Sequence, residues 1–296
     1  MTWWGRFRRL RRLGVLGMNR RNSECILDLN PRSRFPLVDS KRRMRDLCGA
    51  IGVPTPQIHA ALSSHSALHF LPGLLADRQD FVIKPDRGAA GRGILVIIGR
   101  NGKQFVRNNG QCLNLDDIRQ HVSGIISGLF SLGGWMDEAL IQQRVVPDPA
   151  FERISFQGTA DVRVLVYKQA PALAMLRLPT RKSDGRANLH QGAVGAGLDL
   201  VTGIVHRAAW CGRLTDRHPD TGEEVLGFQV PHWPEILCMA RRVSEAVQMG
   251  YLGVDIVLDR QQGPLLLEVN ARPGLAIQIA NGRGLLKRFA EIDSEV

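Results

Sequence analysis

Hydrophobic and polar positions along this chain recur with two periods. Trp3, Phe7, Leu10 and Leu13 recur at helical spacing with Arg6, Arg8, Arg9, Arg11 and Arg12 between them, which predicts a short basic amphipathic helix. Ser40 to Ile51 has a helical pattern ended by Gly52 and the Pro54/Pro56 pair, since proline stops helices. Leu115 to Phe130 and Glu235 to Met249 predict two more helices. Short β-rich runs lie at Phe81 to Lys84, Ile94 to Ile98 and Ala139 to Val146. Val162 to Tyr167 with Ala172 to Arg177 predicts one hairpin, and Gly253 to Asp259 with Pro264 to Asn270 a second. Between these hairpins lies a polar, glycine-rich stretch, Pro179 to Gly203. Strands and helices are interspersed without strict βαβ alternation, so the expected class is α+β.

The second hairpin carries the sharpest chemistry. A turn centred between Gln261 and Gln262 sets Asp255 across from Glu268, and Glu268 shares a strand face with Asn270. Leu265, Leu267 and Val269 then point into a core. Opposed carboxylates repel, and a divalent cation removes that penalty; hard oxygen ligands of this kind suit Mg²⁺ held jointly with phosphates. In Phe81 to Ile94, Lys84 ends an apolar strand and is followed by Gly88, Gly91 and Gly93. Buried lysine calls for an anion, and glycines let backbone N–H groups approach phosphate oxygens. The loop is neither a Walker A nor a Rossmann motif. Arg177, Arg181, Lys182 and Arg186 gather near Asn188, His190 and Gln191, where arginine forks could clamp a phosphoryl group or a carboxylate. His65 and His69 stand four apart, a metal spacing on an α-helix, with no third ligand nearby.

Composition narrows the classes. The 296 residues are 44% hydrophobic and 23% charged, which excludes a disordered chain. No apolar run reaches the ~18–20 residues that span a bilayer. Five scattered cysteines without a C-x-x-C pair argue against a disulfide framework or zinc ribbon and favour a reducing, cytoplasmic setting. The net charge of +11 invites acidic partners. No nucleic-acid module is present, so nucleic acid is not an expected partner. The basic helix offers docking on anionic lipid or a membrane protein, peripheral to the inner face of the membrane; the plainer alternative is a helix docked on the domain with solvated arginines.

Taken in order, these blocks resemble the ATP-grasp superfamily and, within it, RimK-type α-L-glutamate ligase-like proteins. The blocks are Val38-Asp39-Ser40-Lys41, Ile51-Gly52-Val53-Pro54, FVIKPDRGAAGRGI, ALIQQRVV, Asp161-Val162-Arg163, Arg186 to Gly192, Gly253 to Ile256 and Glu268 to Gly274. The resemblance implies an ATP-grasp fold over 38–290, its two α+β subdomains at about 80–147 and 155–285 enclosing a nucleotide cleft, with a separate basic segment at 1–37. It implies that Lys41 and Lys84 contact ATP phosphates under a flap at Gly88 to Gly93. Gln143, where the family often has glutamate, and the Val145 backbone would face adenine. Asp255, Glu268 and Asn270 would hold Mg²⁺, as two ions that Mn²⁺ could replace, and Arg177, Arg186, Asn188 and Arg272 would serve the transferring phosphoryl group.

The implied activity is an ADP-forming carboxylate–amine ligase acting through an acylphosphate on amino acids or peptides, with oligomerisation open. The alternatives are an ATP-grasp phosphotransferase and a non-catalytic nucleotide-binding scaffold at the membrane. Family members usually carry a whole α/β domain before the position of Lys41, and only 40 residues stand there, so one wall of the acceptor site is expected to be missing or to be supplied by a partner.

Overall fold

The computed structural model describes residues 3–88 and 91–295, and within these the side chains of Trp3, Trp4, Arg6, Phe7 and Leu132 are outside the description. The chain divides into two compact units. One comprises residues 39–45 and 55–145, the other residues 1–38, 46–54 and 146–296.

The smaller unit is a six-stranded antiparallel sheet. Its strands are β1 (Ile58–Leu62), β2 (Phe81–Pro85), β3 (Leu95–Asn101), β4 (Gln104–Arg107), β5 (Cys112–Leu113) and β6 (Ala139–Gln142), in the order β1-β6-β2-β3-β4-β5. Phe81, Ile83, Ile97 and Ile141 alternate onto one face and are buried there with Ile118, Val122, Ile125 and Ile126 of the helix Leu115–Ile126. That helix opens with a capping box: Asn114 accepts from Asp117 N–H and Asp117 from Asn114 N–H. It ends four residues before the expected Phe130, because Gly128 adopts φ +82°.

The larger unit is a seven-stranded antiparallel sheet in the order β11-β10-β9-β8-β7-β12-β13. The strands are β7 (Asp161–Tyr167), β8 (Ala170–Leu178), β9 (Val194–Leu198), β10 (Val205–Trp210), β11 (Arg213–Leu214), β12 (Tyr251–Asp259) and β13 (Gly263–Asn270). All nine residues of β12 are buried, as fits a strand paired on both edges. The helix Trp233–Val247 packs on β7, β8 and β12, and the helices Ile277–Asn281 and Leu285–Glu295 pack on β8 and its neighbours.

The N-terminal segment departs from the expected boundary at residue 37. A helix, Trp3–Arg12, does form, though the expected contributions of the Trp3 and Phe7 side chains fall outside the described residues. From Leu16 onward the segment is part of the larger unit. Leu16, Cys25 and Ile26 are buried with Tyr251, Ile277 and Phe289 in one core. Asn30 donates to the carbonyls of Tyr251 (2.8 Å) and Ala271 (2.9 Å) and accepts from Tyr251 N–H (3.0 Å). Leu29 and Phe35 pack against the same core, while Met18 and Leu27 stay exposed.

Candidate active site

The β12–β13 hairpin pairs Asp255 with Glu268 and Gly253 with Asn270, so the three polar side chains share a face at one end of the sheet. The register is not uniform. Toward the turn, Ile256 pairs with Leu266, and Leu267 is the extra residue of a β-bulge. The bulge corrects the expected core face: Leu266 is buried and Leu267 only half-buried, whereas a regular strand would bury Leu267.

Asp255 is 2% exposed and is not a bare carboxylate awaiting a cation. Arg163 on β7 donates Nε to Oδ1 (2.7 Å) and Nη2 to Oδ2 (2.6 Å). Arg177 on β8 adds Nη2 to Oδ2 (2.7 Å), and Asn270 donates Nδ2 to the same oxygen (3.2 Å). Arg177 also holds Asp161 through Nη2 (2.7 Å) and Nε. Two arginines and two aspartates therefore form a buried, formally neutral cluster. Burial pushes both carboxyls up, but the paired guanidiniums outweigh it at Asp255 and hold that group down to about 2. At Asp161 burial wins over Arg177, with the Asp255 charge reinforcing it, and the carboxyl is raised to about 7. Burial works against the charge of Arg177, yet its two carboxylates raise its pKa.

Glu268 differs. It is half-buried, and its carboxylate makes no hydrogen bond or ion pair with any described residue. Asn270 turns Nδ2 to Asp255, which leaves Oδ1 as an acceptor on the same face. Among the described residues no group of three or more His, Cys, Asp and Glu side chains could hold a metal ion. Glu268 and Asn270 Oδ1 nonetheless fit Mg²⁺, which commonly takes one or two carboxylates and completes its shell with water and substrate phosphates. The expected third ligand, Asp255, has its lone pairs engaged by four N–H bonds and serves instead to orient Arg163 and Asn270.

In the smaller unit, Lys84 is buried on β2 opposite Leu140. Lys41 does not stand free as a phosphate contact; its Nζ donates to the carbonyls of Asp86 (2.9 Å) and Gly88 (3.0 Å) and pins the start of the glycine loop. Ala89 and Ala90 lie outside the described residues. Gly91 and Gly93 adopt φ +71° and +74°, and a Cβ on Gly93 would lie 2.6 Å from Phe130 Cγ. His121 meets the Gly93 carbonyl at 3.0 Å through Nε2. Gln143 donates its N–H to Gln57 O (2.8 Å) and accepts from Gln57 N–H at Oε1 (3.2 Å), so its amide oxygen is engaged by backbone; Val145 is half-buried.

The remaining expected residues are not gathered into the cluster. Arg186 is exposed, with Asp184 at 3.7 Å, and Asn188 accepts from His190 N–H (3.0 Å) as the cap of a short turn. Arg272 is exposed and stacks over the Phe35 ring at 4.1 Å. His65 and His69 fall on a 3₁₀-helix, where a four-residue spacing does not share a face, and His65 sits between the hydroxyls of Ser123 and Ser127. Sequence reasoning gave Arg163 no role. Its signal was present, because strand alternation puts Asp161 and Arg163 on one face of β7 and Arg163 pairs directly with Asp255.

The model of the sugar-transfer associated ATP-grasp family matches residues 20–294. The chain belongs to this family. Among solved structures, the ATP-grasp chain is similar to D-alanyl-alanine synthetase A from Vibrio cholerae, with 13% identity, a TM-score of 0.51, and coverage of 88% of this chain and 64% of that one. It is also similar to the ATP-grasp ligase PsnB, with 14% identity, a TM-score of 0.48, and coverage of 90% and 62%. A third is a RimK-domain ATP-grasp protein from Sphaerobacter thermophilus, with 14% identity, a TM-score of 0.49, and coverage of 89% and 70%. The chain thus spans about 62% of the length of PsnB. No curated protein matches it. The family and the α+β ATP-grasp fold agree with the expectation from sequence. No helix among the described residues is long and apolar enough to cross a membrane.

Proposed function

We propose that this ATP-grasp chain is an ATP- and Mg²⁺-dependent carboxylate–amine ligase. The observation that carries the reading is the unpartnered Glu268 carboxylate beside Asn270 and the buried Arg163–Asp255–Arg177 cluster. A carboxylate oxygen of the acid attacks the γ-phosphorus of ATP, the bond to the β-phosphate oxygen breaks, and ADP leaves. An amine then attacks the acylphosphate carbonyl; phosphate departs, the nitrogen loses its proton to solvent, and an amide remains. Such transfer needs positioning and charge neutralisation more than covalent help. Mg²⁺, held by Glu268 and Asn270, would neutralise charge on the phosphates. Lys84 and the backbone N–H groups of the glycine loop take phosphate oxygens, and Lys41 fixes where that loop begins. Arg163 presents its guanidinium beside the carboxylate face, held in orientation by Asp255. The V. cholerae and PsnB relatives, named as a synthetase and a ligase, support the class of reaction; the acid and amine are amino acids or peptides, with α-L-glutamate ligase-like chemistry as the finer form.

A second reading, phosphoryl transfer to a hydroxyl, is favoured by one finding, the family's association with sugar transfer, because sugars offer hydroxyls. Hydroxylamine separates the two: it traps an acylphosphate as a hydroxamate and leaves a phosphate ester intact. ADP release over a panel of amino acids, peptides and sugars, with hydroxylamine present, is expected to give hydroxamate with an acid. Glu268→Gln is expected to lower ATP turnover by ~10²–10³, with the melting temperature unchanged because no partner is lost. Turnover close to wild type in that variant would withdraw the metal assignment.

A further inference from the structure

We infer that the chain docks on an anionic lipid surface through its N-terminal helix and the basic pocket at the end of that helix, with a lipid phosphate headgroup against Arg283 and Lys287. The helix Trp3–Arg12 carries five arginines and no acidic residue in ten positions. On its described side chains and the turn that follows, Leu10 and Leu13 are 49% and 39% exposed. The helix is not a loose tail. Gly284 N–H donates to Leu13 O (3.1 Å) and Leu286 N–H to Gly14 O (2.9 Å). Gln278 holds both backbone groups of Leu16, at 2.8 and 3.1 Å. The crossing is so close that a Cβ on Gly284 would overlap the Gly14 carbonyl. The chain just after the helix is therefore fixed to the fold, and Arg8, Arg9, Arg11 and Arg12 are exposed.

Beside this crossing lies a pocket of about 620 Å³ whose lining includes Leu13, Leu200, Val201, His206, Arg283 and Lys287. Its two carboxylates are engaged elsewhere. Asp199 accepts from the N–H groups of Val201 and Thr202 and from Thr202 Oγ1, and Glu291 pairs with Arg288 at 3.0 Å. Arg283 and Lys287 make no ion pair with any described residue. Val201, at the rim, is 87% exposed. Two unpaired cations, an apolar rim and an adjoining arginine helix are the combination that a phosphate headgroup at an acyl boundary satisfies. A dissolved phosphate would have no use for the exposed leucines and valine.

The test is co-sedimentation of the full chain, without ATP, with vesicles of phosphatidylcholine alone and of phosphatidylcholine with phosphatidylglycerol. Binding is expected only to the anionic vesicles, with release by salt. Lys287→Glu and, separately, Arg283→Glu should each weaken binding by about fivefold or more, the worth of one cation near such a surface, and should retain wild-type ATP turnover. Lys103→Glu, an equal change of charge at an exposed turn of the other unit, should leave binding unchanged. Deletion of residues 2–12 should abolish it. No sedimentation with anionic vesicles at low salt overturns the inference, as does an equal loss in Lys103→Glu, which would reduce it to overall charge. Because the readout contains no nucleotide, either result leaves the ligase reading standing.

Discussion

In the seven-stranded unit, charge at the site is neutralised by charge: Arg163, Arg177, Asp161 and Asp255 come from three neighbouring strands, with all but the half-buried Arg163 fully buried. In the six-stranded unit, Lys41 is held by backbone carbonyls with the Asp137 carboxylate near enough to interact with its charge, and the glycine loop it pins is shaped by φ and by close approach. The first arrangement is rigid, because sheet register fixes every partner and removal of one strands the others in a low dielectric. The second is set by backbone geometry, because a carbonyl satisfies the Lys41 donor without a side-chain partner fixing its position. A phosphate-handling protein has use for both: a preset frame of charged side chains and a backbone loop fixed at its start.

The comparison breaks most visibly at Arg177. Arg177→Met leaves Asp161 buried without its guanidinium, while Asp255 keeps Arg163. A broken buried pair costs about 3–5 kcal/mol, so denaturant unfolding should show a loss of that size. Part should return as the pH is lowered, because the Asp161 carboxyl, raised by burial and now without the Arg177 charge that opposed it, takes up a proton more readily than in the wild type. Adding Asp161→Leu should recover more, since an apolar pair can replace a buried ion pair. A loss under about 1 kcal/mol in the single variant would mean that the cluster is solvated and not the rigid frame described.

Gly93→Ala probes the backbone-built side. The substitution places a Cβ at φ +74° and 2.6 Å from Phe130 Cγ, so either the ring or the loop must move. Overpacking of this kind costs ~1–3 kcal/mol, and amide hydrogen exchange should show the loss in residues 91–131, with β7–β13 unaffected. Apparent ATP affinity should fall with it. If the hydrogen-exchange change is uniform over the chain, the two units do not differ as argued.

How much of this was legible in the sequence follows the same division. Where an apolar run meets a tight turn, as in β7–β8 and β12–β13, the hairpin can be read, and the Asp255–Glu268 pairing follows from the position of its turn. The bulge at Leu267 could not be read, because three consecutive leucines look the same in either register. Strand β9, Val-Gly-Ala-Gly-Leu, reads as loop in sequence because glycine has low strand propensity. Its reason is packing: a Cβ on Gly197 would lie 2.7 Å from the carbonyl of Ala280 in the helix laid across it. The role given to Arg272 came from the resemblance alone and that of Arg186 from the basic loop and the resemblance together, and the fold holds both side chains at the surface. Arg163 was overlooked because a charged residue inside an apolar strand is recognised as part of a network only when the partner strand is known.

The smallest expected effect is one of pH, with one histidine in each unit. His218, 1% exposed, sits beside Pro179 in the seven-stranded unit: Nε2 donates to Pro179 O (2.9 Å) and Nδ1 accepts from the N–H groups of Asp220 and Thr221 (3.3 Å each). His121 in the six-stranded unit donates through Nε2 to Gly93 O. Burial lowers both pKa values from 6.5. A group depressed in the fold contributes stability that is present above its unfolded pKa and is lost as pH falls through the folded one. Below pH 6.5 the unfolded chain takes up protons that the fold resists, and stability falls by at most about 1.4 kcal/mol per pH unit per site. Asp161, raised to about 7, works in the opposite direction over the same range, since the folded state binds its proton first. Wild-type stability is therefore a partial cancellation, and only variants isolate each part. His218→Asn keeps an acceptor near the position of Nδ1 and His121→Gln a donor near Nε2, and neither titrates. Each should flatten the decline of melting temperature between about pH 7 and pH 5, and His218→Asn should flatten it more, because its second proton would have to enter between two N–H donors. If the two variants fall with wild-type slope, the histidines are charged in the fold and the protonation states assigned to both units are wrong.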